Sequence, residues 1–247
     1  MNALMKTEPA PVGQPAEAVV QLEQVTKRYF RTTALADVNL SIPRGSITGL
    51  LGLNGSGKST LLKLIAGLAR PTSGQVLVDG RAPGRWTKGR VAYVPEVDHL
   101  YPWMTVRESI AFVSSFYPDW ERERAEELLA FMALPADQPT GKLSKGMRAR
   151  LRLVIALAHP ATVVLMDEPL SGIDMPSRSR ITEAILSQFR AGEQTIIMST
   201  HDLLETETLF DRVILLERGR VHLEGDAETI RAEHGCAIHD LLKEVQA

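Results

Sequence analysis

The stretch Gly52-Leu53-Asn54-Gly55-Ser56-Gly57-Lys58-Ser59-Thr60 constrains this chain more than any other. It fits the pattern G-x-x-x-x-G-K-[ST], a loop that wraps its backbone around a polyphosphate. The flanks suit the loop. Ser46-Ile47-Thr48-Gly49-Leu50-Leu51 is a short, mostly apolar run that reads as a buried strand. Behind the Lys58-Ser59-Thr60 start, Leu61, Leu62, Leu64 and Ile65 recur at helical spacing. In a strand, glycine loop and helix of this kind, the backbone N–H groups turn inward at the positive end of a helix. Lys58 then reaches the β- and γ-phosphates, and the Ser59 hydroxyl ligates Mg²⁺. The alternative is a glycine-rich turn that binds nothing.

The rest of the chain narrows the setting. Its 247 residues suit one large α/β domain, or one domain with a subdomain. With 44% hydrophobic residues there is material for a sizeable core. A net charge of −2 gives no electrostatic reason to expect nucleic acid, and no sign of a strongly cationic membrane face. The lone Cys236 excludes an intramolecular disulfide and fits a reducing cytosol. No apolar run approaches the ~18 residues that cross a bilayer. The N-terminus has prolines and acids where a signal peptide needs an apolar stretch, so residues 1–17 are expected to form a flexible tail.

Taken in order, Val19–Val25 and Asp37–Ile42 read as alternating strands. Between them Tyr29 offers a ring either for stacking on a base or for covering the sheet edge. Gln75–Gly80 and Val91–Val94 read as further strands, the latter running into Pro95-Glu96. Glu96 reads either as a group that reaches a metal at a neighbouring strand end or as a solvated loop carboxylate. Residues 97–160 turn helical in pattern, with Ala125, Leu128, Leu129 and Met132 on one face. Tyr101, Trp103 and Met104 sit in a proline-rich loop and are candidates for an outward contact. Ser144 and Gly146 open a helix, as an anion-accepting end or an ordinary cap.

Val163-Val164-Leu165-Met166 is a buried strand from whose end Asp167 and Glu168 emerge. Two adjacent carboxylates at the end of an apolar strand are costly without a cation. In a phosphate-loop protein Asp167 holds Mg²⁺ and Glu168 is placed to polarise an attacking water. Ser171–Asp174 is a tight turn. Thr195–Asp202 is a strand with a polar tip, where His201 either donates to a γ-phosphate or is an ordinary surface histidine. Val213–Leu216 and Val221–Leu223 read as a hairpin, followed by a short helix and tail.

The order of these pieces resembles the nucleotide-binding subunits of ATP-binding cassette transporters, over about residues 19–230. Tyr29 matches the aromatic that stacks on adenine. Gly52 to Thr60 matches the phosphate loop, and Glu96 falls where the Q-loop glutamine usually stands. Leu143-Ser144-Lys145-Gly146-Met147 matches the signature motif, usually Leu-Ser-Gly-Gly-Gln. Asp167 and Glu168 match the Walker B acid and the catalytic glutamate, Ser171–Asp174 the D-loop, and His201 the switch histidine.

The resemblance implies an α/β fold: a P-loop NTPase (RecA-like) core with a mixed sheet and an N-terminal antiparallel β portion. A helical subdomain, about 97–160, would be inserted between phosphate loop and Walker B. The cassette would span 18–230, with a C-terminal tail at 231–247. ATP would be bound by Tyr29, the phosphate loop, and Ser144 and Gly146 of a facing cassette, and hydrolysed with Lys58, Glu168 and His201. Ser59, Glu96 and Asp167 would hold Mg²⁺. The partners implied are a second cassette, of the same or a different chain, and a separate integral-membrane permease. The protein would then sit on the inner face of the cell membrane, with no nucleic-acid partner.

Lys145, Met147 and Glu96 depart from the usual residues in a way that looks like the exporter branch. Rival expectations are a soluble ATPase of the same superfamily not linked to transport, a regulatory ATP-binding module and a small-molecule kinase. The short span from Glu96 to Leu143 leaves no room for the long insertions of the first. The presence of Glu168 and His201 argues against the second, and the signature stretch against the third.

Overall fold

A computed structural model describes residues 17–201 and 206–240. The expected flexible tail, save Glu17, the end of the C-terminal tail and Asp202 lie outside the described residues. The chain opens with a long antiparallel pair, β1 (Ala18–Tyr29) and β2 (Thr32–Pro43). β3 (Ile47–Leu51) leads through the glycine loop into α1 (Lys58–Ile65). β4 (Ser73–Val78), the single turn α2 (Arg85–Lys88) and β5 (Val91–Val94) follow. Next come α3 (Val106–Ser114), α4 (Arg122–Phe131) and α5 (Lys145–Ala158). The chain returns through β6 (Val163–Asp167), α6 (Met175–Gln188) and β7 (Thr195–Thr200). β8 (Arg212–Glu217), β9 (Arg220–Asp226) and α7 (Ala227–His234) follow, and the chain is helical again at 238–240.

Two sheets result. β2-β1-β4 is a three-stranded antiparallel sheet, and β5-β6-β7-β3-β8-β9 a six-stranded mixed one. In the larger sheet β9 alone runs antiparallel, along β8. β3, β6 and β7 are buried at every residue, which explains why none of them alternates apolar with polar: a parallel strand covered on both faces has no solvent side. β9, at the edge, keeps Arg220, His222, Glu224 and Asp226 on one side and blunts that edge with charge.

Successive side chains of a strand feed opposite faces. Val163 and Leu165 join one apolar cluster with Leu61, Leu62, Leu64 and Ile65, so α1 is buried between the two sheets. Val164 and Met166 join the other cluster, with α5 and α6. That second cluster continues into α4 through Ala125 and Leu128, with Met132 just beyond its end, the face expected from the sequence.

Both N-terminal strands run further than the sequence pattern indicates. β1 is bulged beyond Leu22, and Gln24 takes a left-handed backbone (φ 49°), so the alternation fails there while the pairing persists to Tyr29↔Thr32. α3 begins with a capping box, Thr105 accepting from the Glu108 N–H while the Glu108 carboxylate accepts from the Thr105 N–H. Among the described residues no helix is long and apolar enough to cross a membrane.

Candidate active site

The parallel strands β5, β6, β7 and β3 end on the same side of the sheet, and in open α/β sheets the crevice beyond such ends is where ligands bind. Glu96 follows β5, Asp167 and Glu168 close β6, His201 follows β7, and the glycine loop follows β3. Sheet order rather than chain order therefore gathers these residues.

The loop leans on its neighbours. Gly57 has φ 111°, and a side chain there would meet the Ala34 carbonyl at 2.6 Å. That contact sets the β1–β2 hairpin against the loop, with Tyr29 at the end of β1. Tyr29 is 42% exposed and lies beneath the Lys27 ammonium, 4.6 Å from its ring centroid. Leu53, Asn54 and Gly55 form the exposed crest of the loop, whereas Ser56 and Lys58 are buried. α1 starts with no side-chain cap and no acid in its first turn, which leaves its first N–H groups to an anion.

Lys58 donates to the Gly52 and Leu53 carbonyls at 2.7 and 3.2 Å, and its Nζ lies 3.4 Å from Glu168 Oε1. Glu168 Oε2 lies 2.9 Å from His201 Nδ1. One carboxylate thus stands between the ammonium at the start of α1 and the imidazole just beyond β7. Glu168 adopts φ 48°, an uncommon backbone for a non-glycine residue, and its N–H donates to Ser199 Oγ at 2.9 Å. A cleft of about 50 Å³ is lined by Glu168, Ser171, Gly172, Thr200 and His201, with room for water beside the carboxylate.

Asp167 is almost wholly buried and surrounded by hydroxyls. Its Oδ1 accepts from Ser59 Oγ at 3.0 Å and from Ser199 Oγ at 2.9 Å. Its Oδ2 accepts from the Tyr93 phenol at 3.2 Å. Burial, the Asp167 charge and hydrogen bond, and the Glu96 charge push the Tyr93 phenol well up, so it stays a donor. Ser59 and Asp167 are hard oxygen donors side by side, the set that suits Mg²⁺ when phosphates supply the remaining ligands. Ser56 Oγ in the glycine loop is buried without a hydrogen-bond partner, as is Glu168 Oε1 beside Lys58. No group of three or more His, Cys, Asp or Glu that could hold a metal ion occurs among the described residues.

Tyr93 and Ser199 were not singled out from the sequence. Ser199 lies in the polar tip read at the end of β7, and Tyr93 is the one polar side chain in β5. The structure does not bring the Glu96 carboxylate to the Ser59–Asp167 pair. Glu96 is exposed, and its place is set through its backbone: Arg152, from the middle of α5, donates to the Pro95 and Glu96 carbonyls at 2.6 and 3.1 Å.

Ser144 and Gly146 lie at the start of α5, where Ser144 Oγ accepts from the Met147 N–H. Gly146 is a close-approach glycine, since a Cβ there would fall 2.4 Å from both Asp174 Oδ1 and Ser177 Oγ. Asp174 caps α6, and the Ser177 hydroxyl and N–H hold its carboxyl below the usual range. Lys145 points its ammonium at Gly172, 2.4 Å from where a Cβ would stand. The signature stretch and the Ser171–Asp174 turn are therefore packed together within one chain.

Residues 35–171 match the family model described as ABC transporter. Nod factor export ATP-binding protein I of Burkholderia orbicola is 35% identical over 233 residues, covering 91% of this chain and 76% of its own length. A Chlorella vulgaris protein named "Probable sulfate/thiosulfate import ATP-binding protein CysA" is 34% identical over 85% of this chain and 92% of its own. Among solved structures, an ATP-binding subunit of an ABC transporter superposes with a TM-score of 0.83 at 28% identity, over 93% of this chain and all of the other. A dimeric post-hydrolysis state of an ATP-binding cassette, bound to ADP and Pi, superposes at 0.75 and 28% identity, over 84% of this chain and 98% of the other.

Proposed function

The chain belongs to the ABC transporter ATP-binding family, and on that premise we propose that it hydrolyses ATP between two facing cassettes to drive a separate permease, in the direction of export. The observation that carries the reading is Glu168, held 3.4 Å from Lys58 Nζ and 2.9 Å from His201 Nδ1 at the ends of neighbouring strands. A carboxylate so held has one oxygen directed at a phosphate-binding lysine and the other fixed by an imidazole. It orients and deprotonates a water for attack on a γ-phosphate. Lys58 turns from the loop carbonyls to the phosphate oxygens and neutralises their charge, and Tyr29 stacks on the base. Ser59 and Asp167 would hold Mg²⁺, which when bound screens the β- and γ-oxygens. Glu96 would reach that shell only if the loop that Arg152 holds moved toward Asp167.

Ser144 and Gly146 complete the nucleotide of the facing cassette, so ATP is a ligand shared across an interface and its binding favours closure. The dimeric ADP and Pi complex of a similar cassette supports this arrangement. Export is supported by the Nod factor export proteins and by the Lys145, Met147 and Glu96 variants. The helices α3 and α4 and the loop after Glu96 pass the motion to the permease at the inner face of the membrane. Tyr101, Trp103, Phe112 and Phe116 are exposed there and form a run of touching rings suited to such a partner.

The test is the elution size of purified Glu168→Gln protein with and without Mg-ATP. A shift from monomer to dimer only with ATP, abolished by Ser144→Arg, is the expected result. A Glu168→Gln protein that binds ATP and still turns it over at the wild-type rate would overturn the assignment of Glu168.

A further inference from the structure

A net charge of −2 conceals a local segregation. Residues 80–90 carry Arg81, Arg85, Lys88 and Arg90 and no acid. All four are exposed, on α2 and its flanks between the turn after β4 and the start of β5. Trp86, itself 40% exposed, is their centre: the Arg81 and Arg90 guanidiniums lie 4.2 and 4.4 Å from its ring centroid. Lys88 extends toward Gly67 at the end of α1, where Lys63, Leu68 and Arg70 are exposed as well. The ion pairs among the described residues include none of these cations. Two guanidiniums held on one indole with no carboxylate paired to either make a local cationic surface that an anion would complement.

We propose that this patch docks on the anionic phospholipid headgroups of the membrane that holds the permease, a reading that rests on the family's transporter role. Guanidiniums match phosphate oxygens in a planar fork, tryptophan favours the headgroup level, and Leu68 offers a short apolar contact beside it. Single-stranded nucleic acid needs bare aromatic faces for its bases, and here guanidiniums occupy the indole. An acidic protein segment would answer the charges but leave Trp86 and Leu68 without a role. The patch lies at the end of α1 and the start of β5, opposite the strand ends that carry the glycine loop. It therefore remains open when two cassettes close over ATP.

The experiment is sedimentation of the full chain, without nucleotide, with phosphatidylcholine vesicles containing or lacking phosphatidylglycerol. Binding only to the anionic vesicles is expected, weaker in added salt and reduced roughly tenfold or more in Arg81→Glu/Arg85→Glu. Arg122→Glu/Arg220→Glu, with the same change of net charge elsewhere on the surface, should bind as wild type. Trp86→Phe should remove the blue shift of tryptophan emission on binding. Equal retention of both double variants, or equal binding to neutral vesicles, would overturn the proposal, as would tighter capture by single-stranded RNA or a polyglutamate peptide. Lys88→Glu serves as a second variant if the melting midpoint shows that Arg81→Glu/Arg85→Glu is misfolded. Mg-ATP hydrolysis, measured alongside, should be unchanged in the patch variants; its absence in the wild type would refute the catalytic reading and leave this one to the vesicles.

Discussion

The Tyr93 phenol donates to Asp167 Oδ2 at 3.2 Å, while Ser59 and Ser199 share the other oxygen of the same carboxylate. Asp167 is thus aimed by hydroxyls from β5, β7 and α1. Groups that orient a metal-holding carboxylate tune its affinity by about 10–100-fold. In Tyr93→Phe the Mg²⁺ concentration for half-maximal hydrolysis should rise about tenfold, with little change in rate at saturation. Titration of Mg²⁺ at fixed ATP checks this, and a fall in the saturating rate with unchanged Mg²⁺ requirement would remove Tyr93 from this role.

His201→Ala leaves Glu168 Oε2 without its imidazole. Loss of a group that positions the base should lower the hydrolysis rate about 10²-fold or more. Binding of a fluorescent ATP analogue should be nearly unaffected, because Lys58 and the glycine loop are untouched. A variant that loses both would mean that His201 supports the fold of the site instead.

Gly146→Ala would drive a methyl group into Asp174 and Ser177. The start of α5 must then move away from the start of α6, at a cost of about 1–3 kcal/mol. Denaturant unfolding should show that loss, and ATP-driven dimer formation should fail with it. Gly89→Ala, at an ordinary helical backbone and with its nearest neighbouring atom 3.6 Å away, is the neutral comparison.

Glu96→Gln removes a charge that reaches Tyr93 and keeps the backbone held by Arg152. Turnover should rise severalfold and the dependence on Mg²⁺ should relax. Unchanged rate and unchanged Mg²⁺ dependence would show that this carboxylate plays no part in the metal site.

Glu207 ties the residues after α7 back to the segment that follows β7. Burial alone would raise its pKa, but donors from Ile238, His239 and Arg231 outweigh burial and hold it below the ordinary 4.5. A lowered carboxylate pKa adds stability that is complete above the ordinary value and is lost as pH falls through the lowered one. The Ile238 amide, 3.0 Å from Glu207 Oε1, should therefore be protected from hydrogen exchange at neutral pH and exposed in acid below 4.5. Glu207→Gln should show the same exposure at neutral pH.

The phosphate loop and the Asp167-Glu168 pair were legible because each is a local signal, a glycine pattern or two acids closing an apolar strand. Tyr93 was not. A tyrosine inside Val91–Val94 reads as core, and its contact depends on β5 pairing with β6, a strand some seventy residues further along the chain. The full length of β1 was hidden by the bulge near Gln24, which breaks the alternation that marks a strand. The cationic patch escaped for a different reason, since summed charge carries no information about where the charges fall.

α5 is a single helix of 14 residues. Its first turn, behind Ser144, is the part proposed to meet the neighbour's nucleotide, and Arg152 in its middle grips the loop beside the chain's own site. A helix that cannot shorten transmits displacement from one of these places to the other. In the proposed closed pair the two nucleotides would then be geared together, and ATP consumption should rise with concentration more steeply than a simple saturation curve.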